Sequence, residues 1–87
     1  MNILSITGSA GAGKSTAIAC MKAKLGGTVL TLERGGMVEL RERIKSISNL
    51  DRLYIDCQTP PSPAFMAFVN QACASNGVKH LVIARTA

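Results

Sequence analysis

Apolar and polar positions along the chain alternate between two periods. Asn2-Ile3-Leu4-Ser5-Ile6-Thr7 is a short strand-like run, and Thr16 to Leu25 follows with Ile18, Met21 and Leu25 at i, i+3 and i+7, the spacing of a core-facing helical stripe. Gly26-Gly27 stops that helix, with Gly26 suited to the left-handed C′ position. Thr28-Val29-Leu30-Thr31-Leu32 is β-branched and apolar and predicts a second strand. Met37, Leu40, Ile44 and Ile47 share one face of a predicted second helix over 37–47, and Ser48-Asn49 breaks the pattern. Arg52 to Cys57 predicts a third strand, which Pro60-Pro61 cannot continue because proline lacks the ladder donor. Ser62-Pro63 opens a third helix as N-cap and N1; its stripe is Phe65, Phe68, Val69, Ala72 and Cys73, and Asn76-Gly77 ends it. Val78 to Ala84 predicts a fourth strand.

The order is β-α-β-α-β-α-β. Strands alternating with helices predict an α/β fold: a small four-stranded parallel sheet with helices on both faces, in three layers, joined by right-handed crossovers. At 87 residues this is one domain spanning 1–87, and an apolar fraction of 47% can supply its core. With two Phe, one Tyr and no Trp, that core must be aliphatic. No stretch approaches the roughly 18 apolar residues of a membrane span, and the N-terminus lacks a signal-peptide pattern. Cys20, Cys57 and Cys73 are odd in number and without paired Cys/His spacing, so they read as reduced, core-facing thiols of a cytoplasmic protein. His80 stands alone and reads as a packed or edge residue rather than a ligand.

In open parallel sheets, ligands bind at the carboxyl ends of the strands. At that edge lies Gly8-Ser9-Ala10-Gly11-Ala12-Gly13-Lys14-Ser15, which fits G-x-x-x-x-G-K-[ST]. A random chain of this length matches roughly a few times in a thousand, and the strand before and helix after make chance less frequent still. The chemistry follows from the residue types. Glycines let successive N–H groups turn inward on an anion. The helix behind adds unpaired N–H groups and a positive dipole end. Lys14 is a point charge for the β- and γ-phosphates, and Ser15 offers a hydroxyl to Mg²⁺. The bland alternative, a βα turn that binds nothing, needs neither Lys14 nor Ser15.

On these residues the chain resembles the P-loop NTPase superfamily over nearly all its length. In that family the strand that pairs with the P-loop strand ends in an acidic residue, and Leu53-Tyr54-Ile55-Asp56 matches. The resemblance implies that Asp56 holds a water on Mg²⁺; the alternative for Asp56 is a turn cap. Ile55 to Ser62 looks most like ParA/MinD-type ATPases, whose aspartate is closely followed by a Pro-Pro pair and whose second strand ends in an acidic residue, here Glu33. Two positions depart from that group: Ser9 stands where it has a signature lysine, and the Asp56–Pro60 spacing is longer. Cys57 stands where many hydrolysing members place a glutamate, and Gln58 reads as a loop residue.

The resemblance implies Mg²⁺-dependent binding of a purine nucleoside triphosphate, ATP before GTP, with slow hydrolysis. The alternative is a binding or regulatory module without significant turnover, acting on a larger partner or DNA. The nucleotide contacts would come from Gly8, Ser9, Ala10, Gly11, Ala12, Gly13, Lys14, Ser15 and Thr16, the metal from Ser15 and Asp56, and the catalytic roles from Lys14 and Asp56. Arg34 and Arg85, just past the second and fourth strands, are each either a phosphate or base contact or a solvated charge. The net charge of +5 suits a nucleotide or nucleic acid. Arg41, Arg43 and Lys45 are most simply a solvated helix face, with a DNA-facing patch the alternative, and Glu39 and Arg43 are spaced to pair at i, i+4. A four-stranded sheet with open edges predicts a homodimer or a larger protein partner.

Overall fold

The computed structural model describes residues 1–8 and 13–86, Thr86 by its backbone alone. The elements run β1 (Asn2–Gly8), α1 (Lys14–Leu25), β2 (Thr28–Leu32), α2 (Met37–Lys45), β3 (Arg52–Cys57), α3 (Pro63–Ser75) and β4 (His80–Thr86). All the strand pairs are parallel, in the order β1-β4-β3-β2. The predicted fold class is therefore present: an α/β domain with a four-stranded parallel sheet and three helices. Among the described residues, no helix is long and apolar enough to cross a membrane.

The strand order corrects one expectation. β1 does not pair with the strand that ends in Asp56; β4 lies between them, with Thr7 in register with Arg85 and Asp56 with Ala84. Local sequence does not encode neighbours in a parallel sheet. The direction of each crossover does. From β1 the chain moves three places across the sheet to β2, then returns one place at a time through β3 to β4. Right-handed crossovers in opposite directions put their helices on opposite faces. Accordingly, Ile18 of α1 packs with Tyr54, Val82 and Ala84 on one face. On the other, α2 and α3 supply Leu40, Ile44, Phe65, Val69 and Cys73 against Leu30, Leu32, Leu53, Ile55, Leu81 and Ile83.

The two layers are unequal. The α2–α3 layer is a dense aliphatic core, whereas α1 contributes Ile18 as its single buried residue. Leu25, expected in the core, is 54% exposed. To join the two edges of the sheet, α1 must cross β4 and β3. Cys20 is likewise exposed on α1, while Cys57 and Cys73 are buried as expected.

Element ends follow local chemistry. Ser62 caps α3 by accepting from the Phe65 N–H at 3.1 Å. At the other end of α3, the Val78 N–H bonds the Cys73 carbonyl, so Val78 closes the helix and β4 starts at His80 rather than at Val78. α2 ends at Lys45, two residues before the expected Ile47, which still packs against the core. On its exposed face the ion pair is Lys45–Glu42 at 3.3 Å, in place of the expected Glu39–Arg43. His80 sits at the start of β4, in register with Asn2 on one side and Arg52 on the other, with its Nδ1 3.4 Å from the Asn2 side-chain nitrogen.

The turn after α1 depends on glycine. Gly27 has φ +117°, and a Cβ there would lie 2.8 Å from the Arg52 carbonyl oxygen and 2.8 Å from the Tyr54 ring. Tyr54 runs beneath this turn and donates its hydroxyl to the Gly26 carbonyl at 2.8 Å. Gly27→Ala therefore combines backbone strain with a steric clash and is expected to cost more than about 1 kcal/mol. Gly35→Ala, at φ +78° with open space around it, is expected to cost less; urea midpoints of the two variants check the order.

Candidate functional site

The carboxyl edge of the sheet gathers most of the residues singled out above. β1 ends at Gly8, and α1 begins at Lys14 directly after Gly13. Gly13 has φ +86°, a left-handed conformation that glycine adopts without the Cβ penalty, and it sets the sharp entry into α1. It caps the helix with no side-chain hydrogen bond, and no acidic residue lies in the first turn. The N-terminus of α1 thus differs from that of α3, where Ser62 occupies the cap. The start of the helix places a partial positive charge at the sheet edge.

Two side chains of the first turn lean over that edge. Lys14, half-buried, donates to the Gly8 carbonyl at 3.3 Å, spanning the two ends of the loop. Ser15 donates to Asp56 Oδ2 at 2.6 Å. Asp56 is the single buried charged side chain among the described residues, 8% exposed. A carboxylate out of water is costly unless it is hydrogen-bonded or faces a cation, so its place under the α1 N-terminus is a specific feature of the site. Asp56 does not come from the strand beside β1. It meets Ser15 because α1 starts above β1 and slants across β4 toward β3. Thr16 lies exposed in the same first turn. The expected contacts of Ser9, Ala10, Gly11 and Ala12 fall outside the described residues.

On the opposite side of β3, facing the α3 layer, Cys57 follows Asp56. Its thiol is pushed up to about 11, first by burial, then by the Asp56 charge, while Arg85 pulls the other way. A thiol held neutral in this way is no general base at neutral pH. Cys73 is also pushed up to about 11, by burial. The proximity of Arg85 to Cys57 was not legible in sequence beyond both residues lying at strand ends. Arg34 instead follows β2, at the far edge of the sheet.

Sequence reasoning missed a second concavity. An open cleft of about 340 Å³ runs along the outer edge of β2, lined by Val29, Thr31, Glu33, Gly36, Glu39, Leu40 and Arg43. It does not include Lys14, Ser15 or Asp56. Its only signal in the sequence was the Glu39–Arg43 spacing, which reads more simply as a surface pair. No group of three His, Cys, Asp or Glu side chains able to hold a metal unaided occurs among the described residues.

No protein-family model matches this chain, and no curated protein and no solved structure matches it.

Two outcomes are expected. Ser15→Ala removes the hydroxyl donor from Asp56 and should destabilise the ligand-free protein by about 1.5 kcal/mol, the low end for a bond to a charged group because Ser15 is exposed. The effect should shrink in an Asp56→Asn background, a double-mutant cycle read by chemical denaturation. The cysteines supply the second. With folded-state thiols raised from 9.0 to about 11, the folded protein resists ionisation that the unfolded chain undergoes. That contribution is complete below pH 9 and is lost as pH rises through 11. Denaturation midpoints should fall across that window, and less steeply in Cys73→Ala, while iodoacetamide at pH 7.5 should label Cys20 first.

Proposed function

We propose that this protein binds a purine nucleoside triphosphate with Mg²⁺ at the mouth formed by Gly8, Gly13, Lys14, Ser15 and Asp56, and hydrolyses it slowly. The observation that carries the reading is the 2.6 Å bond from Ser15 to the buried Asp56, made beside Lys14 at an uncapped helix start. A hydroxyl, a carboxylate and an ammonium converge at the positive end of a helix, which is the chemistry that a polyphosphate and a hard divalent cation require together.

The donor set fits Mg²⁺. This ion keeps several waters and takes one or two protein oxygens plus phosphate oxygens, rather than a dedicated cage of protein ligands. Ser15 Oγ and the Asp56 carboxylate would hold it, Asp56 through water as the resemblance implies. When bound, the ion would neutralise charge on the phosphate oxygens. Lys14 would place its ammonium on the β- and γ-phosphates, and the N–H groups at the start of α1 would accept the same negative charge. Thr16, in the same turn, would add its backbone donor. The residues 9–12 would complete the cradle.

Slow rather than fast turnover is supported by Cys57, a neutral buried thiol at the position after Asp56, where no carboxylate is available to activate water. A module that binds without significant turnover is favoured by the same observation. We propose self-association or a larger protein partner on the strength of β1, an open edge whose Ile3 and Leu4 are 52% and 50% exposed.

Mg-ATP or Mg-GTP at a hundredfold excess over Kd should raise stability by about 2.7 kcal/mol. Lys14→Ala should abolish most of that gain while the free protein stays folded. Ser15→Ala and Asp56→Asn should weaken binding more in Mg²⁺ than in EDTA. Melting temperatures unmoved by millimolar ATP and GTP would overturn the proposal, and equal losses in both buffers would remove Asp56 from the metal.

A further inference from the structure

We infer that two copies of this chain pair through the outer edge of β2, antiparallel across a two-fold axis at Leu30. The inference does not depend on the nucleotide reading, and it concerns the edge of the sheet opposite β1. β1 is open as well, but its seven residues carry no charge that would say what covers it.

β2 has β3 as its single partner among the described strands. The Gln58 N–H bonds the Leu32 carbonyl, so Leu32 turns its backbone groups toward β3. Backbone direction alternates along a strand, so Leu30 does the same, while Val29 and Thr31 turn their N–H and C=O groups outward. The edge lacks the devices that keep strands apart, since Thr28–Leu32 holds no proline and no charge. An antiparallel copy centred on Leu30 sets Val29 opposite the second copy's Thr31, and Thr31 opposite its Val29. Both members of each pair face the seam, so each pair exchanges both of its backbone bonds.

The charges of α2 obey the same two-fold. α2 turns Arg41 inward over the Phe68 ring of α3, 5.2 Å from its centre. The opposite flank carries Glu39 and Arg43, which line the cleft of about 340 Å³ beside Val29, Thr31 and Glu33. Both are exposed, and among the described residues they form no ion pair with each other. A two-fold axis normal to the sheet keeps α2 and its copy on one face and runs them antiparallel. Glu39 and Arg43 lie symmetrically about position 41, so Glu39 meets the second copy's Arg43, and Arg43 its Glu39. Strand and helix agree on where the axis falls. The Gly36 N–H bonds the Glu33 carbonyl, so the two elements start at one level. From there the midpoint of Glu39 and Arg43 lies about 7.5 Å along α2 and Leu30 about 10 Å along β2, a difference smaller than one strand residue. A surface that is its own complement in hydrogen bonding and in charge fits a second copy better than any other occupant. In a chain of net charge +5 it is also a place where opposite rather than like charges meet.

The test is the mass in solution, by sedimentation of the ligand-free protein across tens to hundreds of micromolar, with circular dichroism melts to show that each variant is folded. Wild type should dimerise reversibly. Glu39→Arg or Arg43→Glu sets like charges together at both symmetric contacts, and each alone should weaken the dimer about tenfold. An equimolar mixture of those two variants should recover the dimer, because the arginines of one then face the glutamates of the other. Lys45→Glu, on the exposed face away from the cleft, should leave association unaltered. Thr31→Pro removes an outward N–H without touching the bonds to β3 and should abolish the dimer; should that variant not fold, the mixture decides alone. A wild type that is monomeric throughout overturns the inference. So does a dimer that both single reversals leave unmoved, as one formed through β1 would be. A mixture that fails to recover the dimer, an equal loss in Lys45→Glu, or a dimer that survives in folded Thr31→Pro overturns it as well.

Discussion

A hydroxyl on the first turn of α1 bonded to a buried carboxylate on β3 is the contact on which the arrangement of this molecule turns. Ser15 and Asp56 are 41 residues apart in sequence, and β1, which leads to Ser15, does not neighbour β3, which carries Asp56. They meet because α1 has to carry the chain from one edge of the sheet to the other, and its start slants over β4 on the way. The bond ties the layer that holds Lys14 to the layer that holds the core. It also accounts for a charged side chain at 8% exposure, which would otherwise be an expensive feature in so small a domain.

The unequal packing of the two faces has consequences for that bond. Leu40, Ile44, Phe65, Val69 and Cys73 seal one face of the sheet with buried apolar side chains. On the other face α1 rests on Ile18, helped by Met21, against Tyr54, Val82 and Ala84. Regions with few buried apolar contacts open at lower free energy than the core. The helix that carries the candidate site is therefore the least anchored of the three. Tyr54 partly offsets this by holding the far end of α1 through the Gly26 carbonyl. A ligand bridging Lys14, Ser15 and Asp56 would add a second anchor at the near end, so binding and the docking of α1 are coupled through the same few atoms.

The open edge formed by β1 belongs to the same picture. With β4 as its sole partner, β1 exposes Ile3 and Leu4 on opposite faces. The strand that feeds the candidate site is thus the one least covered by protein. By contrast β3, which delivers Asp56, is flanked on both sides and buried from Leu53 to Cys57. The acidic partner is held within the sheet on both sides, whereas the helix start that faces it rests on few buried contacts.

Much of this was legible in sequence. The periods of two and 3.6 placed every strand and helix in order, because side-chain alternation and helical stripes are local properties that survive into the fold. Ser62-Pro63 marked the start of α3, since caps select their residues directly, whereas α1 begins at Lys14, two residues before the Thr16 that the pattern indicated. The residues from Gly8 to Ser15, and Asp56 near a strand end, could be named as candidates from residue types alone. What the local pattern could not supply was adjacency. Whether β3 or β4 lies beside β1 depends on how far and in which direction each crossover runs, and that is settled by packing helices against both faces. Leu25 was placed in the core by periodicity and Cys20 by the absence of any cysteine pairing pattern, yet both are exposed, because α1 buries Ile18 alone. Arg34 and Arg85 looked alike as residues just beyond strands. Only the tertiary structure set them roughly 14 Å and one strand from β1, because hydrogen bonding between strands, unlike the pattern within them, has no local code.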